Sequence, residues 1–247
     1  GQYHYRHAKE KGRREMISND IILSKTGIDL TKVEQGSEEW MSIRLGVVTA
    51  SEAWKVISKP KSGKKWTDTK KTYLNTLIGE VCTGVYKEVS ARTLEWGKNY
   101  ELEARMTFEF YTGLTAKEVP IIFKDEQLRM ACSPDGICSD GSGLELKCPN
   151  NTDVFIDLAL NGIDAMKKEY VAQVQYSMWV TSKDIWHFAN FDPRMPAGKE
   201  IAYFPVERDE KMMKEFDELV PEFIEVMDQG LNKLGIQFGN QWSVYGN

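Results

Sequence analysis

Hydrophobic positions recur with helical spacing through much of the first half of the chain. The segment 67–82 carries apolar residues at intervals of three and four, the spacing of an amphipathic helix. Residues 91–112 repeat this pattern over a longer stretch. Ser37 is placed as the N-cap of a short helix, and Thr49 with Glu52 has the spacing of a capping box. We therefore expect short helices after Ser37 and Thr49, and long ones over the two periodic segments.

The middle of the chain changes to an alternating pattern that predicts strands. Strands are expected at 119–123, 128–133, 136–139, 144–148, 185–191 and 200–206, with helices at 152–160 and 165–180. An amphipathic tail helix begins near residue 208, with Met212, Phe216, Leu219, Phe223, Ile224 and Met227 facing inward and Pro221 expected to kink or split it. The predicted class is α/β or α+β, with helices flanking a central mixed or largely antiparallel sheet.

Composition indicates an ordinary globular protein of 247 residues, 41% hydrophobic and 28% charged. We expect an N-terminal arm or artificial extension over 1–15 and a single domain over 16–247. No apolar run reaches the roughly 18 residues of a membrane span. Four cysteines without a C-x-x-C pair indicate reduced thiols, and we expect a cytoplasmic protein without a membrane partner.

Charge is unevenly distributed although the net charge is only −5. Residues 44–71 hold eight Lys or Arg against two acidic residues, whereas 207–228 hold nine acidic residues against three basic ones. Local patches rather than the total charge attract a polyanion such as DNA. For the acidic segment, a solvated helix face is the preferred interpretation, and a surface for docking a partner is a weaker one.

Residues 132–148 carry the candidate chemistry. In the strand 144–148 the alternating period places Glu145 and Lys147 on one face and the leucines on the other. Asp135 precedes the glycine-rich turn that leads into this strand. In an antiparallel pair, Asp135 can share the face of Glu145 only if the turn has an odd number of residues, for example 140–142, or a bulge. We predict such a turn.

Two carboxylates and a lysine at one strand end suit a hard cation such as Mg²⁺. Asp135, Glu145 and the backbone carbonyl of Leu146 would be sufficient protein ligands, because Mg²⁺ keeps several waters. Lys147 could orient the attacking water, help to deprotonate it, or stabilise charge on phosphorus. A salt bridge between Glu145 and Lys147 without catalytic function is the alternative. Beyond the N-terminal arm the only histidine is His187, which leaves little basis for histidine chemistry.

The order Pro134-Asp135 and then Glu145-Leu-Lys147 resembles that of the PD-(D/E)XK nucleases. Within them, the chain closely resembles the lambda-exonuclease-like (YqaJ-like viral recombinase) group of alkaline exonucleases from about Asp20 to Trp242. The segments that carry this likeness are 44–51, 61–66, 132–135, 143–149 and 172–180. The resemblance implies a restriction-endonuclease-like core and a processive, Mg²⁺-dependent exonuclease. It would degrade one strand of duplex DNA from a 5′ end, preferably a phosphorylated one.

The resemblance also implies partners and cofactors. It indicates a ring-shaped homotrimer, a single-strand-annealing protein as recombination partner, and Mn²⁺ as a substitute for Mg²⁺. Glu101 matches a helical glutamate of the family motif, which serves when the site takes two ions.

Further residues are carried over from the resemblance as DNA contacts. Arg44, Ser51 and Ser133 match the group that holds the terminal 5′-phosphate, although Ser51 could merely cap a helix. Leu94 matches a leucine that wedges into the terminal base pair, and Tyr170 and Gln173 match residues beside the scissile phosphate.

Two positions depart from the family, which has arginine where Lys61 and Asp153 stand here. Lys61 keeps its charge in a basic loop that suits phosphate contacts, but it loses the planar fork of arginine. A DNA contact at Asp153 is not expected. Two other functions are compatible with the same motifs: an endonuclease, which would cut closed circular DNA, and a catalytically silent module that binds DNA ends.

Overall fold

The computed structural model describes residues 16–61, 63–86 and 91–246, and within these the side chains of 91–95 are excluded. The predicted N-terminal arm, 1–15, lies outside the described residues. None of the described helices combines the length and the apolar character that crossing a membrane requires. The single domain expected over 16–247 stays a prediction.

Eight α-helices form in the described part of the chain. They are α1 (Asn19–Thr26), α2 (Glu38–Ile43), α3 (Ala53–Val56), α4 (Asp68–Thr83), α5 (Ala91–Thr112), α6 (Thr152–Asn161), α7 (Lys168–Thr181) and α8 (Glu210–Leu234). Four short 3₁₀ turns complete them: Leu30–Lys32, Ala50–Glu52, Gly162–Ala165 and Asn240–Tyr245. The predicted helices are confirmed within a few residues at each end.

The predicted N-cap at Ser37 is confirmed, but the one at Thr49 is wrong. The Ser37 side chain accepts a hydrogen bond from the Trp40 amide. At Thr49 the chain enters the 3₁₀ turn Ala50–Glu52 before α3, and Thr49 makes no capping hydrogen bond through its side chain. The tight turn replaces the first α-helical turn, so the amide that a capping box would bind is not presented in the required position.

The strands form two sheets rather than one central sheet. They are β1 (Val48–Thr49), β2 (Ala116–Lys117), β3 (Ile122–Phe123), β4 (Met130–Cys132), β5 (Gly136–Cys138), β6 (Gly143–Lys147), β7 (Ile185–Phe191) and β8 (Ile201–Glu207). One sheet has the order β1-β4-β3 and the other β2-β5-β6-β7-β8. Because β1–β4 and β6–β7 are parallel and the other pairs antiparallel, the predicted mixed α/β class is confirmed.

Helix α7 packs in the centre of the larger core. Its side chains Tyr176 and Trp179 are buried, and the Tyr176 hydroxyl donates to the backbone carbonyl of Val48 at 2.7 Å. Trp186 and Phe188 of β7 are buried in the same core. Because α7 packs against β4 of one sheet and β7 of the other, it joins the two sheets.

Helix α8 runs without interruption through Pro221, so the predicted split is wrong. Pro221 is exposed, where its ring meets solvent rather than the core. The inward face includes Phe216, Phe223, Ile224 and Met227 as predicted, whereas Met212 and Leu219 are only partly buried.

The acidic face of α8 lies beside part of the basic segment. Glu215 pairs with Lys59 at 3.5 Å. Lys70, counted in the basic patch, is buried with its ammonium 4.5 Å from the centre of the Trp66 ring. The usable positive charge is therefore smaller than the sequence count indicates.

Candidate active site

The turn between β5 and β6 brings Asp135 beside β6, the strand that carries Glu145. Gly136 pairs with Leu144 and Ile137 with Gly143, and the Cys138 amide donates to Ser142 at 2.8 Å. Three residues, 139–141, therefore form the turn. The predicted odd number of turn residues is confirmed, although the turn begins one residue earlier than the example 140–142. The Asp135 amide also donates to the Leu144 carbonyl, at 3.1 Å, although Leu144 already pairs with Gly136. Two residues therefore oppose one, and the strand bulges at Asp135.

Lys147, Glu145 and Gln173 form a closed hydrogen-bonded triangle. The Lys147 ammonium donates to Glu145 Oε1 at 2.8 Å and to Gln173 Oε1 at 3.0 Å. The Gln173 amide donates to the same Glu145 oxygen at 2.9 Å. The Tyr170 ring lies one turn earlier on α7, with its centre 4.6 Å from the Lys147 ammonium. The structure thus brings together four of the residues selected from the sequence.

Asp135 is held through both its backbone and its side chain. Its Oδ2 accepts a hydrogen bond from the Leu146 amide at 2.7 Å. Its backbone carbonyl accepts from Arg105 Nε at 2.9 Å, and the Nη2 of the same arginine donates to Glu101 Oε1 at 2.9 Å. Glu101 therefore joins the site through a neighbour one helical turn away on α5.

Repulsion among these carboxylates shapes the electrostatics of the site. Burial, together with the nearby charges of Glu145 and Glu101, raises the pKa of Asp135 well above its ordinary value. Burial also raises the pKa of Glu101, partly opposed by Arg105. For Lys147, burial alone would lower the pKa, but the charges of Glu145 and Asp135 raise it above the usual value. Lys147 is therefore an ammonium at neutral pH.

The donor set fits a cation that keeps several waters. In the described parts of the chain, no three His, Cys, Asp or Glu side chains form a complete metal site. Within the same residues, Asp135 Oδ1 and Glu145 Oε2 accept no hydrogen bond from the protein. Two neighbouring carboxylates with oxygens available, beside the Leu146 backbone, suit Mg²⁺, which binds through one or two carboxylates plus waters.

Arg44 and Ser51 line a cavity of about 690 Å³. The Arg44 guanidinium stacks on Trp40, with its central carbon 3.9 Å from the ring centre. Arg44 Nε is buried without a hydrogen-bond partner. Burial lowers the pKa of this arginine, which nevertheless remains a cation. A buried, stacked guanidinium with an unused donor is suited to an anion entering the cavity.

Ser133 lies beyond the same end of the smaller sheet as Ser51, which lines this cavity. Strands β1 and β4 are parallel, with Thr49 beside Ala131, so both strands end on the same side of their sheet. Ser51 follows Thr49 by two residues, and Ser133 follows Ala131 by two residues. The Ser133 hydroxyl is buried without a hydrogen-bond partner. Asp135 comes two residues after Ser133, which places the catalytic candidates next along the chain.

The other positions are exposed or lie outside the described side chains. Lys61 is exposed in the loop before α4, and Asp153 is exposed in the first turn of α6. Leu94 lies in α5, but its side chain is outside the described residues.

Two residues that contact the site were missed from the sequence. Arg105 follows Glu101 by four positions on a helix, a spacing that predicts an ion pair, and Trp40 precedes Arg44 by the same interval. The separation of four residues on a helix is the sequence feature that could have indicated both contacts.

Mixed sheets flanked by helices, with Asp135 directly before β5 and Glu145 and Lys147 on β6, define the restriction-endonuclease-like class of fold. More specifically, the chain belongs to the YqaJ-like viral recombinase domain family, whose model matches residues 39–184. The family predicted from the motifs is thereby confirmed.

Solved structures show the same fold. An alkaline exonuclease (LHK-Exo) from Laribacter hongkongensis is 28% identical, with a TM-score of 0.71 over 81% of this chain and 96% of that one. Its complex with dAMP matches with a TM-score of 0.70 and 28% identity over 80% and 96% of the two chains. A phage-related exonuclease from Haemophilus somnus 129PT shares the fold at 18% identity, a TM-score of 0.66, and coverage of 76% and 96%.

A curated relative matches a smaller part of the chain. The uncharacterized protein ExoD of Escherichia coli (strain K12) is 58% identical over 83 residues, which are 34% of this chain and 94% of ExoD.

Proposed function

We propose that this protein is a Mg²⁺-dependent exonuclease that degrades one strand of double-stranded DNA processively from the 5′ end. It would release 5′-mononucleotides and leave 3′ single strands for annealing-type recombination. Family membership and the similarity to an alkaline exonuclease support a nuclease that acts on DNA. The observation that carries the proposal is the cluster in which Asp135 accepts from the Leu146 amide while Lys147 donates to Glu145 and Gln173.

Asp135, Glu145 and the Leu146 carbonyl would hold Mg²⁺, or Mn²⁺ in its place, and Glu101 would assist when two ions bind. When bound, the metal would polarise a phosphoryl oxygen and lower the pKa of a coordinated water. The protein contributes the positions of its donors: Asp135 is tied to the Leu146 amide, and Glu145 is tied to Lys147 and Gln173. These bonds limit the rearrangement that the site must undergo.

Lys147 would act as a charged hydrogen-bond donor. Its raised pKa keeps the ammonium protonated, which favours orienting the water and stabilising negative charge on the phosphate over removing a proton. Gln173 holds the ammonium from the other side, and the Tyr170 ring covers it. Both residues would therefore act beside the scissile phosphate.

The cavity with Arg44 would receive the terminal 5′-phosphate. Arg44 supplies an unused buried donor and positive charge, and the Ser133 hydroxyl supplies a second unused group. Ser51 lies on the cavity wall. Lys61 would contact the DNA backbone from its exposed loop, and Leu94 would wedge against the terminal base pair. A homotrimeric ring and a single-strand-annealing protein complete the proposed assembly.

The experiment is a digest of linear duplexes, with Mg²⁺ and with EDTA, carrying a 5′-phosphate on one chosen strand and a label at each end. A covalently closed circle is the matched substrate without ends. We expect metal-dependent loss of the phosphorylated strand, mononucleotide products and an intact circle. Arg44→Ala should reduce the preference for phosphorylated over hydroxyl ends by about tenfold or more, since a charge-assisted hydrogen bond contributes about 1.5–3 kcal/mol.

Each contrary result has a defined meaning. Cleavage of the circle would indicate an endonuclease and contradict the proposed end recognition. End binding without any cleavage would leave only a silent binding module.

A further inference from the structure

Arg105 is a buried residue of α5 that contacts two separate parts of the candidate site. Its Nε donates to the backbone carbonyl of Asp135 at 2.9 Å, and its Nη2 donates to Glu101 Oε1 at 2.9 Å. The side chain is only 10% exposed. Asp135 lies between β4 and β5, whereas Glu101 lies on α5, so this arginine connects the helix to the loop that carries a proposed metal ligand.

A second carboxylate completes the surroundings of Arg105. Glu118 Oε2 lies 3.4 Å from the same Nη2. The planar guanidinium can donate to a carbonyl and a carboxylate in different directions at once, which the single ammonium of a lysine does less well. Without Arg105, Glu101 would face the negative charges of Glu118 and Glu145 with no cation bonded to it.

The geometry points to Arg105 as a positioning residue that sets the affinity of the site for a divalent cation. It acts by holding the Asp135 backbone and the Glu101 carboxylate in place, without contacting the substrate. This role rests on the metal site of the proposed function. Groups that orient metal ligands from behind commonly change metal affinity by about 10- to 100-fold when they are removed.

The test measures Mg²⁺ binding by calorimetry on EDTA-stripped, dialysed protein without DNA, so that it does not depend on turnover. Arg105→Gln should bind Mg²⁺ at least about tenfold more weakly than wild type. Arg129→Gln is the matched control, because Arg129 is equally buried and pairs with Asp228 at 2.7 Å through its own Nη2. It should lose stability in thermal unfolding yet bind Mg²⁺ like the wild type.

A second single variant keeps the test decisive if Arg105→Gln does not fold. Arg105→Lys retains the charge but cannot reproduce both bonds, so its Mg²⁺ affinity should still fall. Where Arg105→Gln folds, combining it with Glu101→Gln should weaken Mg²⁺ binding by less than the product of the two single effects. Each substitution removes the same hydrogen bond between Arg105 and Glu101. Wild-type affinity in a folded Arg105 variant would overturn the role of Arg105, whereas wild-type protein without Mg²⁺ binding would overturn the proposed metal site itself.

Discussion

Lys147 shows how neighbouring charges determine what a residue can do. Burial disfavours its ammonium, but Glu145 and Asp135 outweigh that effect and raise its pKa. The ammonium is therefore charged and oriented before any substrate arrives, with two acceptors already bound. A group prepared in this way can stabilise developing negative charge without a large rearrangement.

Lys147→Ala should reduce the cleavage rate by at least about 100-fold, because it removes a preorganised donor. Binding of DNA ends in EDTA should be nearly unchanged, since other groups are proposed to hold the backbone. Single-turnover digestion and a filter-binding titration measure the two quantities. Lys211→Ala, at an exposed lysine in the first turn of α8, is the control. Near-normal turnover in Lys147→Ala would contradict the proposed mechanism.

Glu80 makes stability depend on pH. It accepts a hydrogen bond from the Gly46 amide at 2.9 Å, and burial raises its pKa from 4.5 to about 6, despite that bond and the nearby Arg44. Between these values the folded state binds more protons than the unfolded state. The contribution of Glu80 to stability is therefore greatest below the unfolded pKa and falls as pH rises from about 4.5 to about 6.

Glu80→Gln should remove this loss, because glutamine stays neutral and can still accept from the Gly46 amide. The pKa difference corresponds to about 2 kcal/mol, so the variant should gain up to that amount at about pH 7 and nothing at about pH 4. Urea unfolding across this range provides the measurement. Glu225→Gln, at an exposed position of α8, should follow the wild-type curve. A gain that is independent of pH would rule out ionisation of Glu80 as the cause.

At the scale of elements, periodicity predicted the long helices and most strands because local spacing determines which face becomes buried. The division into two sheets was not predictable, since it depends on pairing between distant strands such as β1 and β4. Continuity of α8 through Pro221 depends on the surroundings of that residue, which local sequence does not show.

In the candidate site, too, the features set by local sequence were predictable and the long-range contacts were not. The motif indicated Asp135, Glu145 and Lys147, and strand parity predicted that the first two share a face. The contact of Arg105 with the Asp135 carbonyl joins residues 30 positions apart, so local spacing could not predict it.

Gly143 allows β6 to lie against β7. A Cβ at this position would come within 2.1 Å of Trp186 Cε3, a ring atom of the residue that pairs with it across the strands. Gly143→Ala should therefore destabilise the protein by about 1–3 kcal/mol, measured by urea or thermal unfolding, because the buried indole must move. It should also reduce cleavage, since β6 carries Glu145 and Lys147.

The control is Gly79→Ala in α4, where a Cβ would meet nothing within 4 Å. Alanine should stabilise this helix by up to about 1 kcal/mol. Equal effects of the two substitutions would show that crowding against Trp186 does not limit β6.

At the scale of the whole molecule, the outer face of α5 is unusually apolar for a surface. Leu102, Met106 and Phe110 are 63%, 60% and 81% exposed and lie four residues apart, so they form one stripe. Together with Tyr111 they line a shallow groove of about 490 Å³. A contiguous apolar surface of this kind commonly marks a protein interface. We therefore expect part of the interface of the proposed homotrimer to lie on α5.

Light scattering after size exclusion should therefore give a mass near three times 28.3 kDa. Phe110→Glu should shift the protein to 28.3 kDa monomers, because a charge buried at an interface without a partner is strongly unfavourable. Val244→Glu, at an 85% exposed position near the chain end, is the matched control and should remain trimeric. A monomeric wild type would contradict the ring, whereas a Phe110→Glu trimer would place its interface on another surface. If the ring is what makes digestion processive, Phe110→Glu monomers should release the DNA after fewer cleavages at an unchanged initial rate.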